Sequence, residues 1–286
     1  MAYYLGIDVG GSHVGGVCID GKLKTVSGEK VNFSARRKKK VVVEELEKLI
    51  REMSEGKDIR AIGIGVPGAV KDGVLFWCCN SPFLEGTDFS RILRKFSKRV
   101  VVDNDVNCMA FGELCTRREK NILAVTLGTG VGGGIVIDGR LHNKRPYAGE
   151  VGHMSIDPLG VKCTCGSRGC IQEYLSTRGI MKSERKYFTR KYTPDELYVM
   201  ARQGDRKARK VWEEYGKLLG VGLANLANIL DPEVIVLGGG ISEAFDAFGK
   251  SMREEMKKRL KMDPPKVVNG KEQAVAFGAS CMAMHA

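Results

Sequence analysis

His153, Cys163, Cys165 and Cys170 fall within the segment 153–170, HMSIDPLGVKCTCGSRGC. One imidazole and three thiols complete the four N/S ligands of a structural Zn²⁺, leaving no position open for a catalytic water. Metal binding would order a glycine-rich loop, because the binding free energy of the ligands becomes folding free energy. Three ordinary cysteines beside a chance histidine would not need the compact CxCGxxGC spacing. Acids flank the clip, Glu150 before it and Glu173 after it. An ordered loop would present those carboxylates rigidly.

Three glycine-rich segments each follow an apolar run: Asp8-Val-Gly-Gly-Ser12, Thr126-Leu-Gly-Thr-Gly-Val-Gly-Gly-Gly134 and Leu237-Gly-Gly-Gly-Ile-Ser242. Glycine lets backbone N–H groups approach a phosphate with no Cβ in the way, and Ser12 adds a hydroxyl donor. One such segment is a tight hairpin; three together point to nucleotide phosphates. Asn104 and Asp105 stand between the apolar run Val100–Val102 and a helical pattern from Val106. On the residues alone, Asp105 reads as the cap of that helix. Glu173 reads as a surface acid of a helix over 171–175, and neither His13 nor His142 has a visible partner.

These residues need elements to hold them. Leu5–Ile7, Val14–Ile19 and Leu23–Val31 read as successive strands, with Asp20-Gly21 as a turn. Val41–Met53 has helical spacing, Ile59–Val66 reads as a buried strand ended by Pro67-Gly68, and Asp88–Phe96 as a short helix capped by Thr87 or Asp88. Strand Val100–Val102 and helix Val106–Cys115 follow. Ile122–Thr126 and Gly133–Ile137, with a hairpin at Asp138-Gly139, repeat the opening pattern and predict two related halves. Beyond Gly169 the reading is mostly helices to Leu230, a strand at Val234–Leu237, a helix from Glu243 to Leu260 and a last helix from Gln273 to Met284. Residues 1–116 are expected to form an N-terminal α/β lobe, to which the last helix, about 273–286, returns. Residues 117–272 are expected to form a C-terminal α/β lobe carrying the zinc loop 153–170.

The 286 residues carry 46 Lys and Arg against 34 Asp and Glu, a formal charge of +12. The basic residues mix with acids in patterns such as VVVEELEKLIREM, which describes a solvated surface. Only Arg36–Lys40 forms a basic run, so no nucleic-acid partner is expected. With 43% hydrophobic and 28% charged residues, no apolar stretch of membrane length and no secretory leader, the expectation is a cytoplasmic globular protein without a membrane partner. Cys18, Cys78, Cys79, Cys108, Cys115 and Cys281 are scattered through apolar segments and read as reduced thiols.

DVGGS at Asp8–Ser12, NDVNCMAFGE at Asn104–Glu113, TLGTGVGGGIVIDGRL at Thr126–Leu141, GEVGH at Gly149–His153, CTCGSRGCIQE at Cys163–Glu173 and VIVLGGGIS at Val234–Ser242 span nearly the whole chain. Together they resemble the sugar-kinase branch of the actin/hexokinase-like ATPases and, within it, the ROK family. The resemblance implies an α/β, two-lobed actin-like ATPase (ribonuclease H-like) fold, with mixed sheets flanked by helices and a zinc-stapled loop. It implies an ATP-dependent hexose kinase, glucokinase by default, that phosphorylates the sugar 6-hydroxyl with Mg²⁺ in a cleft closing between the lobes. Mannose, fructose, allose and N-acetylated amino sugars are alternative acceptors, polyphosphate or ADP alternative donors, and a non-catalytic sugar-responsive regulator an alternative role.

The resemblance also assigns roles. Asp105 would be the general base, and Asn104, Glu150, His153, Glu173, Gly68 and Asn80 would hold the acceptor. His153 would serve both zinc and sugar, one ring nitrogen each. Asp8, Gly10, Gly11, Ser12, Gly128, Thr129, Gly130, Gly238, Gly239 and Gly240 would hold the nucleotide. Ser12 replaces the Thr of many relatives and Asp103 their Glu. Cys165 replaces the His of fructokinase-like members, which implies an aldose. Relatives with DNA-binding activity carry a helix-turn-helix ahead of the first phosphate motif, which here begins within ten residues of Met1. A dimer or tetramer of identical chains is expected.

Overall fold

The computed structural model describes residues 1–10, 13–32 and 38–286. Gly11 and Ser12 of the first glycine turn, and Arg36 and Arg37 of the basic run, lie outside the described residues. The chain opens with β1 (Ala2–Val9), β2 (His13–Asp20), β3 (Thr25–Asn32), α1 (Lys39–Ser54) and β4 (Asp58–Val66). Three short strands follow, β5 (Ala69–Lys71), β6 (Val74–Trp77) and β7 (Thr87–Asp88), then α2 (Phe89–Leu93), β8 (Val100–Asn104) and α3 (Asp105–Thr116). Next come β9 (Ile122–Leu127), β10 (Val131–Ile137), β11 (Arg140–Leu141), α4 (Gln172–Leu175), α5 (Thr177–Ser183), α6 (Pro194–Arg202) and α7 (Arg206–Leu230). The chain closes with β12 (Val234–Gly238), α8 (Phe245–Arg259), β13 (Lys266–Asn269) and α9 (Ala274–His285).

Two five-stranded sheets have the orders β3-β2-β1-β4-β8 and β11-β10-β9-β12-β13. Numbered by their own strands, both wind 3-2-1-4-5, which is the duplication that the repeated strand and glycine pattern predicts. In the first sheet β1, β2 and β3 pair antiparallel, while β4 and β8 add in parallel. The chain forms two compact units. One comprises Met1–Ala124, Gly134–Gly149 and Gly270–Ala286; the other comprises Val125–Gly133 and Glu150–Asn269.

In the first unit, α1 turns Val42, Leu46, Leu49, Ile50 and Met53 inward at helical spacing. They join Leu5, Ile7, Val9, Ile62 and Ile64 in the main core. α9 lies against β1 and β4, and there backbone meets backbone. A Cβ on Gly6 would stand 1.9 Å from the Ala276 carbonyl oxygen, and one on Gly63 2.0 Å from that of Ala279. Any larger residue would lift the helix off the sheet.

The elements depart from the sequence reading at identifiable places. β3 starts at Thr25 rather than Leu23, because Asp20 Oδ1 accepts the N–H groups of Lys22 and Lys24 and Leu23 takes the left-handed conformation, φ 62°. α2 stops at Leu93, with Asp88 as its cap. The small sheet β5-β6-β7 was not expected; Asp72 and Gly73, with φ of 51° and 80°, make its two-residue turn. β13 was also unexpected, and the expected helix from Glu243 begins as a short 3₁₀ segment, Gly240–Ala244.

In the second unit α7 and α8 pack around Trp212, Tyr215 and Phe248, with Trp212 stacked on Phe248 at 6.0 Å. Tyr215 Oη donates to the Leu175 carbonyl at 3.1 Å, which anchors α4. The helix surfaces carry charge pairs at one-turn spacing: Lys40–Glu44, Lys48–Glu52 and Arg51–Glu47 on α1, Lys217–Glu213 on α7 and Arg259–Glu255 on α8. No helix among the described residues is long and apolar enough to cross a membrane.

Gly63→Ala is expected to cost about 1–3 kcal/mol by overpacking, which lowers Tm by roughly 2–12 °C for a chain of this size. Gly21 has open space around its Cβ position, so Gly21→Ala should stay within about 0.5 kcal/mol of the parent. Thermal denaturation of both variants makes the comparison.

Candidate functional site

β8 delivers Asn104 to the start of α3, and Asn104, not Asp105, caps the helix. Its Oδ1 accepts Val106 N at 2.8 Å and Asn107 N at 3.2 Å, while its Nδ2 donates to the Gly68 carbonyl at 3.1 Å. Gly68 has φ 102°, and a Cβ there would lie 2.3 Å from the Trp77 carbonyl oxygen, so the position requires glycine. Asp105 is the first helical residue and its Oδ1 accepts Val106 N at 2.9 Å. Asp103 braces the pair from behind: Oδ1 accepts Asn104 N at 2.7 Å and Asn107 Nδ2 at 2.8 Å, and Oδ2 accepts Asn143 Nδ2 at 2.6 Å. Asn80 follows β6 in an exposed turn.

Asp8 lies near the end of β1 and Gly10 just beyond it. His13 does have a partner: its Nε2 is 3.0 Å from Asp8 Oδ2. Its ring also fills the space beside Gly10, where a Cβ would come within 2.5 Å of it. Buried Cys108 reports the local field. Burial first, then the charges of Asp103, Asp105 and Asp8, push its thiol well above the usual range. The charges of all three carboxylates thus reach this buried thiol.

The second and third glycine turns meet within the second unit. A Cβ on Gly239, φ 81°, would lie 2.4 Å from the Leu127 carbonyl oxygen. Gly128 N donates to Gly130 O at 3.0 Å, and Gly128 O accepts both Thr177 N at 2.8 Å and Thr177 Oγ1 at 3.2 Å. Gly238 ends β12, Ser242 Oγ donates back to Gly239 O at 2.7 Å, and Thr129 is exposed. The Cβ positions of Gly128 and Gly240 look onto open space. Such open backbone fits the approach of phosphate oxygens.

The four clip residues also converge in the second unit, their ligand atoms all within 4.8 Å of one another. His153 Nδ1 is 3.7 Å from Cys163 Sγ, and Cys165 Sγ is 3.7 Å from Cys170 Sγ. A tetrahedron with Zn–S bonds near 2.3 Å has S···S edges of about 3.8 Å, so the donor set fits Zn²⁺ in type and spacing. Burial lowers the His153 imidazole against the opposing charge of Glu173, which favours the neutral ring a metal binds. Gln172 Nε2 donates to Cys163 Sγ at 3.4 Å, an outer hydrogen bond of the kind that orients metal ligands.

The other ring nitrogen, His153 Nε2, faces Glu150 Oε2 at 3.8 Å, and burial pushes the Glu150 carboxyl up to about 7. Glu173 is no surface acid. Its side chain is 1% exposed, with Oε1 on Arg178 Nη2 and Oε2 on Lys182 Nζ at 3.1 Å. Arg178, Lys182 and Asn143 were missed in the sequence because nothing local to them signals a distant carboxylate. His13 stands beside its partner's motif, and strand pairing could have found it.

The ROK family pattern matches residues 4–285 of this chain. The chain belongs to the ROK family. This ROK protein is 31% identical over 276 residues to a glucokinase of Thermotoga maritima, covering 88% of this chain and 86% of that protein. It is 33% identical over 288 residues to an N-acetyl-D-glucosamine kinase of Photobacterium profundum, covering 94% of each. A ROK family glucokinase from Streptomyces griseus, solved in complex with glucose and AMPPNP, superposes with a TM-score of 0.88 at 27% identity, covering 99% of this chain and 100% of that one. The fold of this ROK protein is accordingly the actin-like ATPase fold, with the mixed sheets and flanking helices that the motifs imply.

Metal analysis of the purified protein is expected to give about one zinc per chain. Cys165→Ala should lose that zinc and lower Tm, because metal binding and folding of the loop are linked. Full zinc retention in the variant would remove Cys165 from the ligand set.

Proposed function

We propose that this ROK sugar kinase transfers the γ-phosphoryl group of ATP to the 6-hydroxyl of a hexose, with glucose as the default acceptor. The observation that carries this reading is the division of labour at the start of α3. Asn104 caps α3 through Val106 N and Asn107 N, so capping alone does not account for the carboxylate that follows, although its Oδ1 also accepts Val106 N. Asp105 is assigned as the general base. It takes the hydroxyl proton while the sugar oxygen bonds to phosphorus and ADP leaves with the electrons of the broken bond.

Phosphoryl transfer requires little covalent chemistry from the protein and much positioning. Gly128, Thr129, Gly130, Gly238, Gly239 and Gly240 are assigned to the nucleotide, together with Asp8, Gly10, Gly11 and Ser12. Mg²⁺ bound with ATP would supply neutralisation of the phosphate charge. Asn104, Gly68, Asn80, Glu150, His153 and Glu173 are assigned to the acceptor, since carboxylates and amides pair with adjacent hydroxyls of a neutral sugar. Zinc held by Cys163, Cys165, Cys170 and His153 would keep the imidazole in place for that task.

Glucose as acceptor is supported by the glucokinase name of one relative and by the glucose in the Streptomyces griseus complex. The N-acetyl-D-glucosamine kinase of similar identity makes that sugar the competitor. The enzyme is expected to act as a homo-oligomer in the cytoplasm, with no nucleic-acid partner.

Asp105→Asn is expected to lower kcat by at least about 10²-fold, the scale of a lost positioned base, with hexose Kd held within about threefold by calorimetry. ADP release measured across a hexose panel, with ATP or polyphosphate as donor, checks the substrates. Wild-type turnover in the Asn variant, or ADP release that no hexose stimulates, overturns the assignment.

A further inference from the structure

The Glu173 carboxylate is almost fully enclosed, its side chain 1% exposed. An enclosed carboxylate survives only with compensating partners. Here each oxygen has one cation: Arg178 Nη2 meets Oε1, and Lys182 Nζ meets Oε2 at 3.1 Å. Both cations come from α5, and their spacing of one turn puts them on the same face of that helix. Their side chains are 49% and 43% exposed. The stems lie at the surface and the charged heads reach in.

α5 holds these heads at a fixed place. Ser176 Oγ caps it by accepting Gly179 N at 3.3 Å. Thr177 ties its first residue to the Gly128 carbonyl through both N and Oγ1. At Gly179 the helix touches α4, since a Cβ there would stand 2.4 Å from the Tyr174 backbone. α4 is the helix that carries Glu173. The donor and acceptor groups of this ion triad thus sit on two short helices in backbone contact. An exposed ion pair adds little to stability, but this triad has a buried member, and its geometry is held from both sides.

Resting on the reading of Glu173 as an acceptor ligand, we propose that Arg178 and Lys182 are positioning residues for the sugar, holding the Glu173 carboxylate in the one orientation that receives a hydroxyl. A carboxylate has about four acceptor sites. The two cations occupy one on each oxygen; with the side chain 1% exposed, a hydroxyl of the acceptor gains a second only when the carboxylate is uncovered on the side away from them. The planar fork of Arg178 fixes direction as well as charge, whereas Lys182 supplies a point charge.

Steady-state kinetics of Arg178→Met/Lys182→Met, Arg178→Lys and Glu173→Gln test the proposal, with hexose KM, ATP KM and kcat determined separately. The double variant is expected to raise hexose KM at least about tenfold, the scale of removing partners from a buried charge pair, with ATP KM unchanged and kcat at saturating hexose retained. Arg178→Lys should recover part of the loss. Adding Glu173→Gln to the double variant should raise hexose KM no further, because residues acting through one group are not additive. Should the double variant not fold, Lys182→Met alone serves the same comparison. If Glu173→Gln raises hexose KM and the cation variants do not, the positioning role is overturned while the acceptor role of Glu173 stands. If Glu173→Gln leaves hexose KM unchanged, both fail.

Discussion

The backbone of α9 rests directly on the backbone of β1 and β4, and the placement of Asp105 depends on that contact. Gly6 and Gly63 admit the helix. Once seated, α9 offers Ala279 and Met282 to Cys108 of α3, in a small cluster that also holds Val101 of β8. Strand and helix on either side of Asn104-Asp105 are therefore packed against the same partner. Reactions that depend on positioning lose rate steeply when a group is displaced by about 1 Å. Residues with no chemistry of their own set that displacement here.

The second unit solves the equivalent problem by other means. From Ser155 to Arg168 the only buried residue is Cys163, and Leu159 is 91% exposed. Apolar burial cannot order such a segment. A metal ion held by His153 and the three thiols would supply the missing constraint, and His153 reaches Glu150 through its other ring nitrogen. Glu173 is fixed separately, by Arg178 and Lys182 on one side and by the Tyr215 bond to the end of α4 on the other.

Much of this was legible in one dimension. Glycine after an apolar run marks a strand end, and the periods of Val41–Met53 and Ile59–Val66 identify a helix and a strand that the structure contains. The clip is legible because all its ligands are local. Asp105 reads as the cap on the residues alone and Asn104 proves to be it, since either side chain can cap and only the extended backbone of Asn104, φ −60° and ψ 144°, selects it. The small sheet leaves little signal although Asp72-Gly73 is a hairpin turn, because its strands are too short to show alternation. The cations on Glu173, by contrast, left no trace: a half-exposed Arg and Lys on a helix look like any solvated pair.

The one-turn charge pairs along α1, α7 and α8 have a thermal consequence. Near room temperature each adds little, because the ions surrender hydration to meet. As water warms, that hydration becomes less favourable, while the gain from apolar burial levels off. The share of stability borne by these ladders therefore grows with temperature. In cold water the same pairs contribute least, and the helices lean chiefly on their apolar stripes.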